Sequence, residues 1–127
     1  MNLLKSCFVG TTEKIDFISI IHDVRFAIRD APLADGLVTI IIPKNGAALL
    51  VTDQTPDQLK EGAEKFKAMD GLHTSLSLPF QKKELMLDPK RMIYLVDFSD
   101  AAKRREFYVQ ILGDTPPPPP QQGRRRP

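Results

Sequence analysis

A single cysteine, Cys7, excludes an intrachain disulfide, and a thiol left alone fits a reducing cytoplasm. Its expected place is on a strand, as a small buried hydrophobe rather than a reactive nucleophile. The histidines are only His22 and His73, and with Cys7 they show none of the close spacings that a zinc site uses. Neither phosphate-cradling glycine pattern, GxGxxG or GxxxxGK, occurs, and nothing resembles a nucleophile elbow. No metal and no cofactor is therefore expected. No apolar run approaches the ~20 residues of a membrane span, and Met1–Lys5 lacks the charged-then-apolar layout of a secretory leader. An excess of positive charge is also missing from the body of the chain. Of 18 Lys and Arg residues, Arg124, Arg125 and Arg126 lie at the end; without them 15 bases face 16 acids, a net of −1. That near-neutral body has no electrostatic footprint for nucleic acid.

What is present reads as one domain over residues 1–114, followed by a different material. The 127 residues suffice for one real core and are too few for two. From Thr115 onward, Pro116–Pro120, two glutamines and three arginines favour polyproline II and cannot bury a core. The expectation for 115–127 is a disordered, dispensable Pro/Arg-rich tail. Its functional alternative is a ligand for a proline-recognising groove or an anionic surface.

Within the body, Leu4–Val9 reads as a first strand, and Ile15–Phe17 as its extension or return. Ile18, Ile21, Val24, Phe26 and Ile28 recur at near-helical spacing, with Ser19 as a candidate N-cap and Pro32 as a stop. His22 falls near the start of that helix, as a surface residue. The stretch DGLVTIIIPKNGAALLVTD, Asp35–Asp53, holds two β-branched apolar runs around a Pro-Lys-Asn-Gly break. Asn-Gly between such runs is the strongest short-range hairpin signal, and it predicts a tight turn pairing Leu37–Ile42 with Ala47–Thr52. Thr55-Pro56-Asp57-Gln58 is a capping box with proline at the first helical position, opening a helix to about Ala68. Leu59, Ala63 and Phe66 share one face of it, and Gly71 supplies the break beyond. Thr74–Phe80 alternates with period two, Glu84–Leu87 is a short strand, and Met92–Phe98 and Phe107–Leu112 are strands joined by a loop over Ser99–Arg105. Six or seven mostly antiparallel strands and two helices give an α+β fold, an antiparallel β-sheet sandwich with two helices packed on it.

Three segments together resemble the YjbQ-like family, whose members are commonly described as secondary thiamine-phosphate synthases. Asp35-Gly36-Leu37-Val38 and the strand after it resemble the family's approach to a His-Thr-Thr-Ala-Ala motif. Leu78-Pro79, Glu84-Leu85-Met86-Leu87 and Ile93–Phe98 resemble its "IP…GxLxLGxWQxIxxxEf" signature. Arg104-Arg105 and Tyr108–Gly113 fall where the family has an Arg-rich turn and last strand. The resemblance spans most of residues 5–114 and implies a homotrimer with pockets between neighbouring chains.

The departures from the family lie at its chemistry. Lys44, Asn45 and Gly46 stand where the motif has His-Thr-Thr. Asp88-Pro89-Lys90-Arg91 replaces Gly-x-Trp-Gln in a chain without tryptophan, and the family's histidine-bearing stretch is reduced to His73. The candidate pocket that the resemblance implies is Lys44, Asn45, Gly46, Asp53, Asp97, Lys103 and Arg105, with no catalytic residue assigned. The expected role is non-catalytic binding of a small phosphorylated or carboxylate ligand, or a structural one. Two alternatives stand beside it: an enzyme rebuilt around a phosphorylated substrate, and an interaction protein working through its tail.

Overall fold

The computed structural model describes residues 1–11, 16–44, 46–61, 72–98 and 104–114. Among the described residues, eight strands form two antiparallel sheets. The larger has the order β1 (Asn2–Gly10), β8 (Arg104–Leu112), β3 (Gly36–Ile41), β5 (Ser75–Gln81), β6 (Glu84–Leu85), and the smaller the order β2 (Asp16–Ser19), β7 (Met92–Asp97), β4 (Ala47–Thr52). Helices α1 (Ile21–Asp30) and α2 (Pro56–Glu61) complete an α+β sandwich. The helical extension to Ala68, the break at Gly71 and the whole of 115–127 fall outside the described residues. Among the described residues, no helix is long and apolar enough to cross a membrane.

Period two decides which side chains go inside. On β8, Arg105, Phe107, Val109 and Ile111 are buried and alternate with Arg104, Glu106, Tyr108 and Gln110, which keep contact with solvent. The larger core joins Phe107, Val109, Val38, Ile40 and Phe80 of the five-stranded sheet to Leu49, Ile93 and Leu95 of the other. Ile21, Val24, Ala27 and Ile28 of α1 pack into the same core, four positions at the spacing of one helical face. A smaller core of Phe17, Tyr94, Val96 and Leu59 lies across β7 from the first, with Leu59 contributed by α2. The unbroken apolar run Ile93–Val96 is thus covered on both faces within one chain, as a central strand requires. It leaves no apolar surface there for a neighbouring chain to cover.

The hairpin expected at Lys44-Asn45-Gly46 does not form. β3 pairs with β5 and β8, whereas β4 pairs with β7 in the other sheet. The segment therefore carries the chain from one sheet to the other. The reason is burial: Val38 and Ile40 face the core from one sheet and Leu49 faces it from the other, so pairing the two runs side by side would leave one of the sheets without a strand. Ser19 is not the N-cap of α1 either. It ends β2 opposite Tyr94, and Ile20 occupies the cap with no side-chain hydrogen bond. The Ile20 N–H donates to the Ile93 carbonyl at 2.9 Å, so burial of Ile20 and Ile21 against β7 sets the helix start in place of a polar cap. At α2 the expected capping box is present: the Gln58 N–H donates to Thr55 Oγ1 (3.3 Å) and the Thr55 N–H to Gln58 Oε1 (2.9 Å).

A tight two-residue turn does occur, at Lys82-Lys83 between β5 and β6, with φ of 51° and 63°. The Lys82 N–H donates to Asp35 Oδ1 (2.9 Å) and the Lys83 N–H to the Ala34 carbonyl (2.8 Å). The Lys83 ammonium donates to the carbonyls of Arg29, in the last turn of α1, and of Ala31 and Leu33 just beyond it. A cation there satisfies carbonyls that the helix leaves unpaired and complements its dipole. At the same end of the larger sheet, the Met1 amino group donates to the Gly113 carbonyl at 2.6 Å.

Candidate functional site

Arg105 and Asp97 link the two sheets at one end of the sandwich. Asp97 closes β7 and is fully buried; Arg105 lies on the inner side of β8 and is nearly so. Arg105 Nε donates to Asp97 Oδ2 at 3.0 Å and Nη2 to Oδ1 at 2.9 Å, a fork-to-carboxylate pair that fixes the guanidinium plane. Loop residues alone would not hold that geometry. Asp97 is held by its pairing with Asp16 on one side and Ala47 on the other, and Arg105 by its pairing with Val9.

Gly46 completes this arrangement. Its φ is +91°, and a Cβ placed on it would stand 2.7 Å from Arg105 Nη2. Only glycine satisfies the backbone and the close approach together. Its carbonyl accepts the Phe98 N–H at 2.7 Å, which ties the segment to the residue just beyond β7.

A cleft of about 330 Å³ opens beside the ion pair, lined by Phe8, Ile42, Lys44, Arg104, Arg105 and Glu106. Lys44 is exposed, and the Arg104 guanidinium lies 3.9 Å from the centre of the Phe8 ring, stacked on it. Glu106 is held from two sides: Tyr108 Oη donates to one carboxylate oxygen and Ser6 Oγ to the other, each at 3.1 Å. The hydrogen bond to Glu106, with its negative charge, raises the Tyr108 hydroxyl above the usual tyrosine pKa near 10. Three cationic side chains and the Glu106 carboxylate thus border one concavity, with Phe8 and Ile42 as its apolar lining. Such a site suits a small anion, with Lys44 as a mobile point charge and the arginines as planar donors.

Of the pocket residues expected from sequence, Lys44 and Arg105 line the cleft, while Gly46 and Asp97 stand behind it as the groups that place Arg105. Asn45 and Lys103 fall outside the described residues. Asp53 is not part of the cleft. It follows the far end of β4 from Gly46, a strand of 6 residues, hence roughly 20 Å away at the rise of an extended chain. His73 is exposed, and its backbone exchanges two hydrogen bonds with Leu49 on β4 (2.6 and 3.2 Å). Cys7 is buried in the larger core, where desolvation raises its thiol pKa and keeps it in the unreactive form. Sequence reasoning missed Phe8, Ile42, Arg104 and Glu106 as lining residues, Arg104 having been noted only as part of the Arg-rich turn. Phe8 reaches the cleft only through the β1–β8 pairing, which sets it opposite Glu106, and no local pattern announces a pairing at that separation.

Solved structures share this fold. A YbjQ-like protein of unknown function from Sulfolobus solfataricus superposes with a TM-score of 0.80 at 15% identity, over 90% of this chain and 99% of that one. An uncharacterised conserved protein of the YjbQ family from Clostridium acetobutylicum gives 0.75 at 18% identity, over 85% and 99%. A hypothetical protein from Aeropyrum pernix gives 0.78 at 16% identity, over 88% and 99%. At such identities the likeness establishes a common fold across nearly the whole domain. No family model matches the sequence, and no curated protein does.

Proposed function

We propose that this chain is a divergent YjbQ-like protein that binds a small phosphorylated or carboxylate molecule in the Lys44–Arg104–Arg105 cleft, without the catalysis of the thiamine-phosphate synthases it resembles. The observation that carries this reading is the convergence of three cations on one cleft, with Arg105 held in a fixed plane by Asp97. The fold shared with YjbQ-like structures and the motif segments around Asp35–Asp53 and Ile93–Phe98 support the family assignment. The loss of catalysis rests on Lys44, which stands where the family has histidine. A protonated lysine offers three donors and no lone pair, so it replaces imidazole neither as a base near neutral pH nor as a metal ligand. The lone buried thiol favours a cytoplasmic setting.

Isothermal calorimetry with inorganic phosphate, pyrophosphate, thiamine phosphate and a dicarboxylate tests the reading. Binding of at least one of them, weakened about tenfold by Lys44→Ala, is the expected result, since one charge-assisted hydrogen bond is worth about 1.5–3 kcal/mol. No heat with any of the four would refute it. A second reading, a rebuilt enzyme acting on a phosphorylated molecule, draws on Glu106, an acid set among the cations and oriented by Ser6 and Tyr108. Thiamine phosphate formation by the purified protein would favour it over binding alone. The resemblance also carries assembly as a homotrimer, for which the outward side of the five-stranded sheet offers exposed Leu37 and Leu112. Light scattering that returns the mass of three chains, or of a multiple of three, is the expected outcome.

A further inference from the structure

Strand β1 is an edge of the five-stranded sheet: among the described residues it pairs with β8 and with no other strand. It is long for an edge, 9 residues, and its pairing with β8 runs from Asn2↔Leu112 to Gly10↔Arg104 without a bulge. It contains no proline, and Lys5 is its only charge. Edges are usually blunted by short strands, prolines, bulges or several charges. Here one long row of backbone donors and acceptors has no strand partner among the described residues.

The side chains along β1 say what fits that row. Leu4 and Phe8 are its large exposed apolar residues, 63% and 46% exposed, and both stand on the outward side of the sheet with Ser6 between them. We propose that β1 is a contact between two copies of this chain, pairing antiparallel with β1 of the second copy about a two-fold axis through Ser6. That register pairs all nine residues and is self-complementary, as a two-fold contact must be. It sets Leu4 opposite Phe8 of the second copy, and Phe8 opposite Leu4, so each exposed apolar side chain covers the other. It also sets Leu3 opposite Val9 and Lys5 opposite Cys7 on the inward side.

Shifting the register by one residue would join the inward side of one sheet to the outward side of the other. Shifting it by two would set Leu4 or Phe8 against Ser6 and forfeit the apolar pairs. The contact has a second consequence, because Phe8 carries the stacked Arg104 at the rim of the anion cleft. Leu4 of the second copy then packs at the mouth of that cleft. The two-fold contact uses an edge of the sheet; where its axis crosses that of a three-fold assembly at right angles, the two contacts give a particle of six chains.

Light scattering and a cross-link test this pairing on the full chain. The wild type is expected at the mass of two or six chains, and Leu4→Lys, at an exposed position that leaves the core intact, at half of that. Ser6→Cys in a Cys7→Ala background is expected to form a disulfide-linked dimer under mild oxidation, because directly opposed strand positions lie within disulfide range. Asn2→Cys in the same background should not. A wild type at one or three chains, with no cross-link at position 6, overturns the proposal. So does a single-chain mass that doubles when 115–127 are deleted, which would mean that the tail occupies the edge. Anion binding by a protein at one or three chains would leave the proposed function standing and remove this contact alone.

Discussion

Two turns of this molecule reverse what their residues promise. Lys44-Asn45-Gly46 carries the Asn-Gly signature of a tight hairpin, yet it links strands in different sheets. Lys82-Lys83 has neither glycine nor asparagine, yet it closes a hairpin with φ of 51° and 63°. The left-handed conformation costs roughly 1–2 kcal/mol at each such residue. It is offset by contacts from outside the hairpin: Asp35 and Ala34 receive the two N–H groups, and the carbonyls of Arg29, Ala31 and Leu33 receive the ammonium. At Gly46 the left-handed residue is used for a different purpose, the close passage of Arg105. A turn signature therefore states which conformations are cheap, and the surrounding fold decides where they are used.

This contrast ranks a series of substitutions. Asp97→Ala should have the largest effect, about 3–5 kcal/mol by urea unfolding, because it strands the buried Arg105 guanidinium without its partner. A loss under 1 kcal/mol would mean that water reaches Arg105 and that the ion pair does not organise this end of the sandwich. Gly46→Ala comes next, at roughly 1–3 kcal/mol, since it both strains the backbone and drives a methyl into Arg105. Anion binding should weaken in that variant along with stability. If only stability falls, the plane of Arg105 does not matter to the cleft. Lys83→Met should cost roughly 1–3 kcal/mol, the penalty for leaving carbonyls at the end of α1 unsatisfied. Lys82→Gly is expected to have the smallest effect and the opposite sign, a gain of about 1 kcal/mol from relieved strain. A loss there would show that the Lys82 side chain takes part in holding the turn.

The parts of the fold that were legible in the sequence are those fixed by neighbours in sequence. The alternation of Leu76 and Leu78 with Ser75 and Ser77 announced β5, and Thr55 with Gln58 announced the start of α2. The partner of each strand was less legible, because pairing depends on which apolar faces must meet across the core. The start of α1 was misplaced for the same reason: Ser19 is a better cap than Ile20 in isolation, but Ile20 is buried against β7. Lys44, Asp97 and Arg105, named from motif position, lie together in one chain, whereas Asp53, named the same way, lies at the opposite end of β4. Phe8 and Glu106 carried no local signal.

The order of strands along the chain has a consequence for how the molecule is made. β8 lies between β1 and β3, and β7 lies between β2 and β4, so an interior strand of each sheet is among the last two strands to be synthesised. Until they leave the ribosome, β1 and β2 have no partner and wait as unpaired apolar segments. The tie between Asn2 and Leu112 closes almost the whole domain in one loop. Topologies dominated by such distant pairings fold in milliseconds to seconds, well after the chain could first collapse. Both sheets are therefore completed only when the two C-terminal strands dock, and until then β1 and β2 present unpaired edges of the kind that promote aggregation.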